Sequence, residues 1–229
     1  KALPGRKSRA MIIKGDCRTV VPTLGLFDLI IADPPYACTP MKWDVLCVGW
    51  AKVMAAALKP SGSLWVFGSM RNVPLLFEEF ASWKFAQEIV WEKHNCSGPV
   101  TQRRFARVHE FVLQFYRGAW GDVFASQQMT HGHARRMATR KNSGPATGHF
   151  SPSRYDSTSR IARSVQKIRS THGSATHPTE KPEGLLNLLI EYSCPPDGRV
   201  LDPFAGSMST QRASGGRETV GVNLFPPKG

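Results

Sequence analysis

The residues with the clearest chemical potential are Asp33-Pro34-Pro35-Tyr36, which directly follow the apolar run 27–32. That run has the length and β-branched content of a buried strand, and two prolines end it. Because proline has no backbone N–H and a fixed φ, the carbonyl groups of this turn remain available as acceptors. The stretch therefore brings a carboxylate, carbonyl oxygens and an aromatic ring to a strand end, where open α/β sheets bind their ligands.

This set of groups suits one kind of reaction. A planar aromatic amine is a poor nucleophile because its lone pair is delocalised into the ring. Two acceptors that hold its N–H groups favour a pyramidal nitrogen whose lone pair points at an electrophile, which is catalysis by position and electrostatics. The candidate catalytic residues are therefore Asp33, Pro34, Pro35 and Tyr36. The structural alternative is a strand-ending turn with a solvated Asp33.

Three stretches together resemble the DNA amino-methyltransferases that use S-adenosylmethionine to methylate adenine N6 or cytosine N4. Residues 33–36 resemble their catalytic motif, residues 201–207 (Leu-Asp-Pro-Phe-Ala-Gly-Ser) resemble their cofactor motif, and residues 177–182 (His-Pro-Thr-Glu-Lys-Pro) resemble the segment before it. A catalytic motif that precedes the cofactor motif is the order of the β group. The likeness covers roughly residues 11–116 and 161–224.

The resemblance implies an α/β, Rossmann-like methyltransferase fold with a doubly wound mixed sheet, S-adenosylmethionine as cofactor, and a base flipped out of duplex DNA as substrate. Asp33 favours adenine N6, since cytosine-N4 enzymes often have serine there. Asp16 could also serve as a helix N-cap. The implied cofactor-binding residues are Asp16, Cys17, Asp33, His177, Pro178, Thr179, Lys181, Asp202, Pro203, Phe204, Ala205, Gly206, Ser207 and Asn223.

The chain departs from the family pattern around the cofactor motif. Met208 follows Ser207 where the family usually has glycine, so a side chain is expected where the backbone is usually bare, and Gly215-Gly216 shortens the next helix. Asn223 replaces an acidic residue that usually holds the cofactor ribose. Because an amide lacks the charge-assisted strength of a carboxylate, weaker cofactor binding than is typical is expected.

Positive charge is concentrated in the middle of the chain, whose 229 residues carry a formal net charge of +13 and a pI near 9.9. Residues 101–175 hold 13 Lys and Arg against 3 Asp and Glu, whereas the other 154 residues hold 17 against 14. This focus favours nucleic acid as partner over a solubilising surface. The candidate DNA-binding residues are Arg103, Arg104, Arg135, Arg136, Arg140, Lys141, Arg163, Lys167 and Arg169.

Hydrophobic patterning predicts the elements that position these residues. Alternating strands and helices argue for a doubly wound sheet. Three segments are expected: a catalytic half at 10–116, a basic target-recognition insertion at 117–175 with a loop at 142–160, and a cofactor-binding half at 176–229. Strands are predicted at 10–13, 27–32, 64–68, 85–91, 110–116 and 199–202, and helices at 43–58, 74–83 and 181–190.

Composition argues against several other classes. No run approaches the roughly 18–20 apolar residues of a membrane span, and no apolar stretch follows the basic residues 1–9, so neither a membrane span nor a signal peptide is expected. The 5 cysteines (17, 38, 47, 96 and 194) have no metal-ligand spacing, which indicates reduced thiols in a cytoplasm and no metal site. The resemblance implies that the protein is bacterial or phage-encoded and associated with the nucleoid.

Several alternatives remain open at the level of sequence. The substrate could be cytosine N4, RNA or protein, and a non-catalytic DNA-binding protein on the same fold is a further possibility. A homodimer is expected on analogy alone. The recognition sequence and any restriction partner are not determined by these patterns.

Overall fold

The computed structural model describes residues 10–37, 44–96, 102–103, 105–131, 136–139, 154–171 and 180–224. The strands in these ranges are β1 (Ala10–Lys14), β2 (Phe27–Ala32), β3 (Leu58–Gly68), β4 (Lys84–Glu92), β5 (His109–Tyr116), β6 (Met129–Thr130), β7 (Arg136–Thr139), β8 (Arg154–Ser157), β9 (Arg160–Ile161), β10 (Val165–Lys167), β11 (Arg199–Asp202) and β12 (Glu218–Asn223). The helices are α1 (Cys17–Val20), α2 (Trp50–Ala57), α3 (Val73–Glu79), α4 (Glu183–Ser193) and α5 (Ser209–Arg212), with 3₁₀ turns at Val21–Thr23 and Trp120–Asp122.

Eight of the strands form one mixed sheet in the order β1-β12-β11-β2-β3-β5-β4-β10. The first five run parallel to one another. Strand β5 is antiparallel to both β3 and β4, and β10 runs parallel to β4 at the edge. This α/β arrangement confirms the predicted doubly wound mixed sheet.

Both faces of the sheet are covered, because β2 is buried along its whole length and its side chains alternate between two cores. Ile30 and Ala32 share one core with Trp50 of α2 and with Phe80, which directly follows α3. Leu29 and Ile31 pack on the opposite face, where α4 contributes its apolar side. The continuous apolar run that predicts this strand therefore reflects burial on two sides, as expected of parallel sheets.

The predicted helix at 43–58 is wrong in its first turns, because α2 begins at Trp50. Gly49 has a φ of 76°, and the backbone N–H groups of Gly49 and Ala51 donate to the Glu79 carboxylate at 3.0 and 2.9 Å. A carboxylate from α3 thus caps α2. The described residues 44–48 before it form a loop instead of two helical turns.

A second compact unit, Gln127–Arg163, contains two antiparallel strand pairs, β6 with β9 and β7 with β8. This unit is shorter than the predicted insertion 117–175, because the residues just before it and just after it form hydrogen bonds with the main unit. The N–H groups of Phe124 and Ser126 donate to Ser61 and Tyr192, and β10 pairs with β4. Part of the predicted loop 142–160 is also strand, since β8 has backbone partners in β7.

Gly221, in the parallel strand β12, is predicted to tolerate no side chain. A Cβ there would lie 2.7 Å from Ala205 Cβ and 2.5 Å from Ile12 Cδ1, and it would overlap the Gln211 amide. Gly221→Ala should lower the free energy of unfolding by about 1–3 kcal/mol through overpacking, which urea unfolding measures. Gly184→Ala is the control, because its nearest neighbour would be Ile168 Cγ2 at 4.0 Å. Equal midpoints for the two variants would contradict this packing.

Candidate active site

Four neighbouring parallel strands, β1, β12, β11 and β2, deliver polar side chains to one edge of the sheet. Asp16 lies two residues beyond β1, Asn223 ends β12, Asp202 ends β11, and Asp33 follows β2. Because the carboxyl ends of parallel strands meet at the same edge, all four line one cavity of about 510 Å³. That volume lies within the range of about 300–1,000 Å³ typical of small-molecule sites.

The Asp33 carboxylate is held at both of its oxygens. The Tyr36 hydroxyl donates to Oδ1 at 2.9 Å, and the Lys181 ammonium lies 2.7 Å from Oδ2. The Asp33 side chain is 23% exposed, and the cavity is where it meets open space. Burial raises the pKa of Asp33, whereas Lys181 and the Tyr36 hydroxyl act in the opposite direction. The solvated turn considered as an alternative is therefore not what the fold produces.

Lys181 is predicted as a cofactor residue, and the structure places its charged end against the catalytic motif. Its ammonium is buried, lies 3.6 Å from Glu110 Oε2 and faces the Phe67 ring at 5.1 Å from the centroid. Glu110 in turn pairs with Lys93. Its two carboxylate neighbours raise the pKa of Lys181 against the opposing effect of burial, which keeps the ammonium charged.

The segment 202–207 wraps one side of the cavity, as the sequence predicts for the cofactor motif. Asp202 Oδ1 accepts the Phe204 N–H at 3.1 Å, and the Phe204 ring packs edge-on against Trp50 at 5.1 Å. Burial raises the pKa of Asp202 to about 7, although a hydrogen bond from Thr210 lowers it. A buried carboxyl group that ionises near neutral pH suits a cationic ligand.

Met208 adopts the left-handed conformation that glycine favours, with a φ of 61°. Its N–H donates to Ala205 O at 2.6 Å, so the chain keeps the tight turn at this point. Among the described residues, Ser207 and Ser209 line the cavity on either side and Met208 does not. The expectation that a side chain occupies this part of the site is therefore wrong. Asn223 also supports the loop, since its Nδ2 donates to Gly206 O at 3.3 Å.

Asp16 is the N-cap of α1, as the structural alternative predicts. It accepts the Arg18 N–H at 2.8 Å, and the Arg18 guanidinium bonds both carboxylate oxygens at 3.0 and 2.6 Å. These contacts hold the pKa of Asp16 below its usual range. Because Asp16 also lines the cavity, the cap and a ligand contact remain compatible.

Sequence reasoning missed the loop that forms another wall of the cavity. Asp44, Val45, Leu46 and Cys47 line it, next to Cys17. The buried Asp44 carboxylate accepts the Ala37 N–H at 2.8 Å, which ties this loop to the catalytic turn. The helix-like spacing of Val45 and Val48 led to the prediction of a helix in place of this loop. The residue that could have indicated the loop is Gly49, because glycine readily adopts the positive φ found just before α2.

The predicted DNA-binding residues are only partly described. Arg103, Lys167 and Arg169 are exposed in the main unit, Arg163 is exposed in the second unit, and Arg136 lies in β7. Lys167 pairs with Glu92 at 3.0 Å. The predicted residues that lie outside the described ones are Arg104, Arg135, Arg140, Lys141, His177, Pro178 and Thr179.

Two further observations bear on other classes of site. In the described part of the chain, no cluster of three or more His, Cys, Asp or Glu side chains is arranged to hold a metal ion. None of the described helices has both the length and the apolar character needed to cross a membrane.

Comparison with known proteins shows the family of this chain. The DNA methylase family profile matches residues 27–223, so the chain belongs to this family. Type II methyltransferase M.HinfI of Haemophilus influenzae is 26% identical over 92% of this chain, which spans 64% of that protein. DNA adenine methyltransferase YhdJ of Escherichia coli is 28% identical over 86% of this chain and 71% of its own length.

A solved structure agrees at the level of fold. The M1.HpyAVI–SAM complex superposes with a TM-score of 0.62 over 96% of this chain and 94% of that one, at 21% identity. Taken together, these matches confirm the predicted family and fold class.

The conformation of Met208 yields a stability prediction. A left-handed φ costs a residue with a Cβ about 1 kcal/mol relative to glycine, so Met208→Gly should raise Tm by about 2–4 °C. Met208→Ala removes the same side chain but keeps the Cβ, and it should leave Tm close to that of the wild type. Calorimetry on both variants checks this, and an equal gain for alanine would contradict it.

Asp202 yields a prediction on pH. Because its pKa in the folded protein is raised to about 7 from the usual 3.8, the unfolded chain loses this proton first, and stability falls as pH rises between these values. Asp202→Asn removes this dependence. The free energy of unfolding of Asp202→Asn, relative to that of the wild type, should therefore increase by roughly 2–3 kcal/mol between about pH 5 and pH 8. Urea unfolding at both pH values measures this difference. If the stability of the variant and that of the wild type changed equally with pH, the raised pKa of Asp202 would be refuted.

Proposed function

We propose that the protein is a sequence-specific DNA methyltransferase that acts on adenine N6. The observation that carries this proposal is that the Asp33 carboxylate, Pro34 and the loop 202–207 line one cavity. An exocyclic amine held at one end of that cavity can face a ligand bound at the other. The similarity to the DNA adenine methyltransferase YhdJ supports adenine as the base, and the similarity to the methyltransferase M.HinfI supports methyl transfer. The aspartate at the first position of the predicted catalytic motif also favours adenine.

The chain's own residues would act by holding the amine. Asp33 and the Pro34 carbonyl accept its two N–H groups, which directs the nitrogen lone pair into the cavity. The Tyr36 ring offers a face on which a flipped base can stack. The hydrogen bond from the Tyr36 hydroxyl to Asp33 fixes ring and carboxylate relative to each other. Such fixed geometry is the main source of rate in a reaction that needs no covalent intermediate.

S-adenosylmethionine supplies an electrophilic methyl group on a sulfonium. The residues present fit it: Asp202 offers a buried carboxyl group poised to ionise, Asn223 offers an amide at the end of β12, and the small residues 205–207 let a ligand approach the backbone. Asp16 lies on the same cavity. Since Asn223 already donates to Gly206 O, its hold on a ribose hydroxyl would be modest, and titration calorimetry tests the expected weak affinity.

Duplex DNA is the proposed polymer. The excess of positive charge in residues 101–175 supports it, and Arg103, Lys167 and Arg169 are exposed. Lys167 can exchange Glu92 for a phosphate at little cost, because a surface ion pair contributes about 1 kcal/mol or less. Competition between duplex DNA and structured RNA at one fixed salt concentration distinguishes the two polymers, since salt strongly affects both affinities.

Two further properties are proposed on analogy with the family. The chain would form a homodimer, which sedimentation velocity tests directly. It would act in the cytoplasm of a bacterial or phage-infected cell, where its DNA substrate lies. Neither property enters the chemical argument, so the failure of either leaves the proposed reaction intact.

The reaction itself is tested with two matched variants. Asp33→Asn should lower methyl transfer from labelled cofactor to DNA by at least about 10²-fold, because one amine acceptor loses its charge. Asp122→Asn, which makes the same chemical change at an exposed site, should behave like the wild type.

Product analysis then distinguishes the bases and the non-catalytic alternative. Mass spectrometry of methylated plasmid should detect N6-methyladenine. Detection of N4-methylcytosine alone would defeat the choice of adenine. Binding to DNA with no methyl transfer to any nucleic acid would favour a non-catalytic DNA-binding protein.

A further inference from the structure

A row of alternating charges leads from the sheet to the catalytic carboxylate. Lys93, just after β4, pairs with Glu110 on β5. Glu110 Oε2 lies 3.6 Å from the Lys181 ammonium, and that ammonium lies 2.7 Å from Asp33 Oδ2. All of these side chains except that of Asp33 are 13% exposed or less. Because the row joins four separate segments of the chain, it requires the complete fold.

The two carboxylate oxygens of Glu110 differ in their hydrogen bonding. Its Oε1 accepts from Lys93, whereas its Oε2 is buried and has no hydrogen-bond partner in the described part of the chain. A buried carboxylate oxygen without a donor is costly. The Lys181 ammonium lies 3.6 Å from this oxygen, which is within reach of a hydrogen bond after a small movement.

The Lys181 ammonium is therefore placed between two carboxylates and bonds one of them more closely. If it bonded Asp33 alone, it would neutralise the group that must accept the substrate amine. A second carboxylate gives it another partner when Asp33 turns toward a substrate. Both carboxylates attract the Lys181 ammonium strongly, because charges interact more strongly in apolar surroundings than in water. The centroids of the Phe67 and Tyr36 rings lie 5.1 and 5.7 Å from the ammonium.

We infer that Glu110 is a positioning residue, which shares the Lys181 ammonium with Asp33 and so leaves an Asp33 oxygen available to the substrate amine. This inference rests on the proposed amino-methyltransferase function, and it deepens that function by extending the catalytic apparatus to β5. Glu110 does not touch the substrate in this arrangement. Lys93 balances its charge from the opposite side.

The two neighbours act on Asp33 in opposite directions. The Lys181 ammonium lowers the pKa of Asp33, and the Glu110 carboxylate raises it. Among the described residues, the other ionisable groups that face Asp33 are Tyr36, whose hydroxyl lowers the pKa of Asp33 by a hydrogen bond, and Asp202, which is electrostatically linked to it. Removing Glu110 should therefore make Asp33 ionise at lower pH, and removing Lys181 should make it ionise at higher pH.

Kinetics provide the first test. Glu110→Gln should lower kcat by about tenfold or more, because Lys181 then holds Asp33 alone. The acidic limb of the kcat profile should move to lower pH, and KM for S-adenosylmethionine should stay within about twofold. Lys181→Met should move the same limb to higher pH. Glu88→Gln, an exposed change on β4, should match the wild type.

Direct titration of Asp33 separates this inference from the proposed function. Carbon-13 NMR of aspartate-labelled protein, with the Asp33 signal assigned from its loss in Asp33→Asn, should give a lower midpoint in Glu110→Gln and a higher one in Lys181→Met. An unchanged midpoint in Glu110→Gln would overturn the inference. A wild type that methylates no nucleic acid would refute the proposed function, and the NMR titration would still decide whether Glu110 controls Asp33.

A second variant guards against misfolding. If Glu110→Gln does not fold, the double variant Glu110→Gln/Lys93→Met replaces it, because removing both partners of a buried ion pair is usually tolerated far better than removing one. The double variant removes the charges of Glu110 and Lys93, and Glu110 is the one that contacts Lys181. The loss of Glu110 should therefore dominate, and the midpoint of the Asp33 titration should again fall. A midpoint that stays at the wild-type value would overturn the inference here as well.

Discussion

A carboxylate placed at a cavity wall inside a protein needs a compensating charge, and this requirement organises the structure around Asp33. The compensating group is the Lys181 ammonium, which comes from a segment nearly 150 residues away in the sequence. A hydrogen bond from the Tyr36 hydroxyl and the rings of Tyr36 and Phe67 hold the pair in place. The ion pair therefore links the predicted catalytic half of the chain to the predicted cofactor half.

The pairing of β2 with β11 explains why Asp33 and the predicted cofactor loop 202–207 line the same cavity. Strands β2 and β11 are parallel neighbours, with Leu29 level with Val200 and Ile30 level with Leu201. Asp33 and Asp202 consequently reach the same edge, and the loop after β11 faces the proline turn after β2. Met208 keeps the loop in shape by adopting a glycine-like conformation. The departure from the family pattern therefore changes local strain more than the form of the site.

Local signals predicted much of this arrangement. Residues 27–32 and 199–202 are short, apolar and ended by turn residues, and both are strands with the predicted bounds. Long-range contacts could not be predicted in this way. The Lys181–Glu110 contact depends on the order of the strands in the sheet. Asp44 lies in a loop at the site because the Glu79 carboxylate, from another helix, caps α2 and makes it begin at Trp50. No periodicity within a single segment contains that information.

The most direct test of the central claim is a crystal structure with duplex DNA and S-adenosylhomocysteine, the demethylated form of the cofactor. The account predicts an adenine extruded into the cavity, with N6 within hydrogen-bonding distance of an Asp33 oxygen and the Pro34 carbonyl, and with the ligand sulfur near the loop 202–207. An adenine that remains stacked in the duplex, or an amine held by other residues while Asp33 stays bonded to Lys181 and Tyr36 alone, would contradict it.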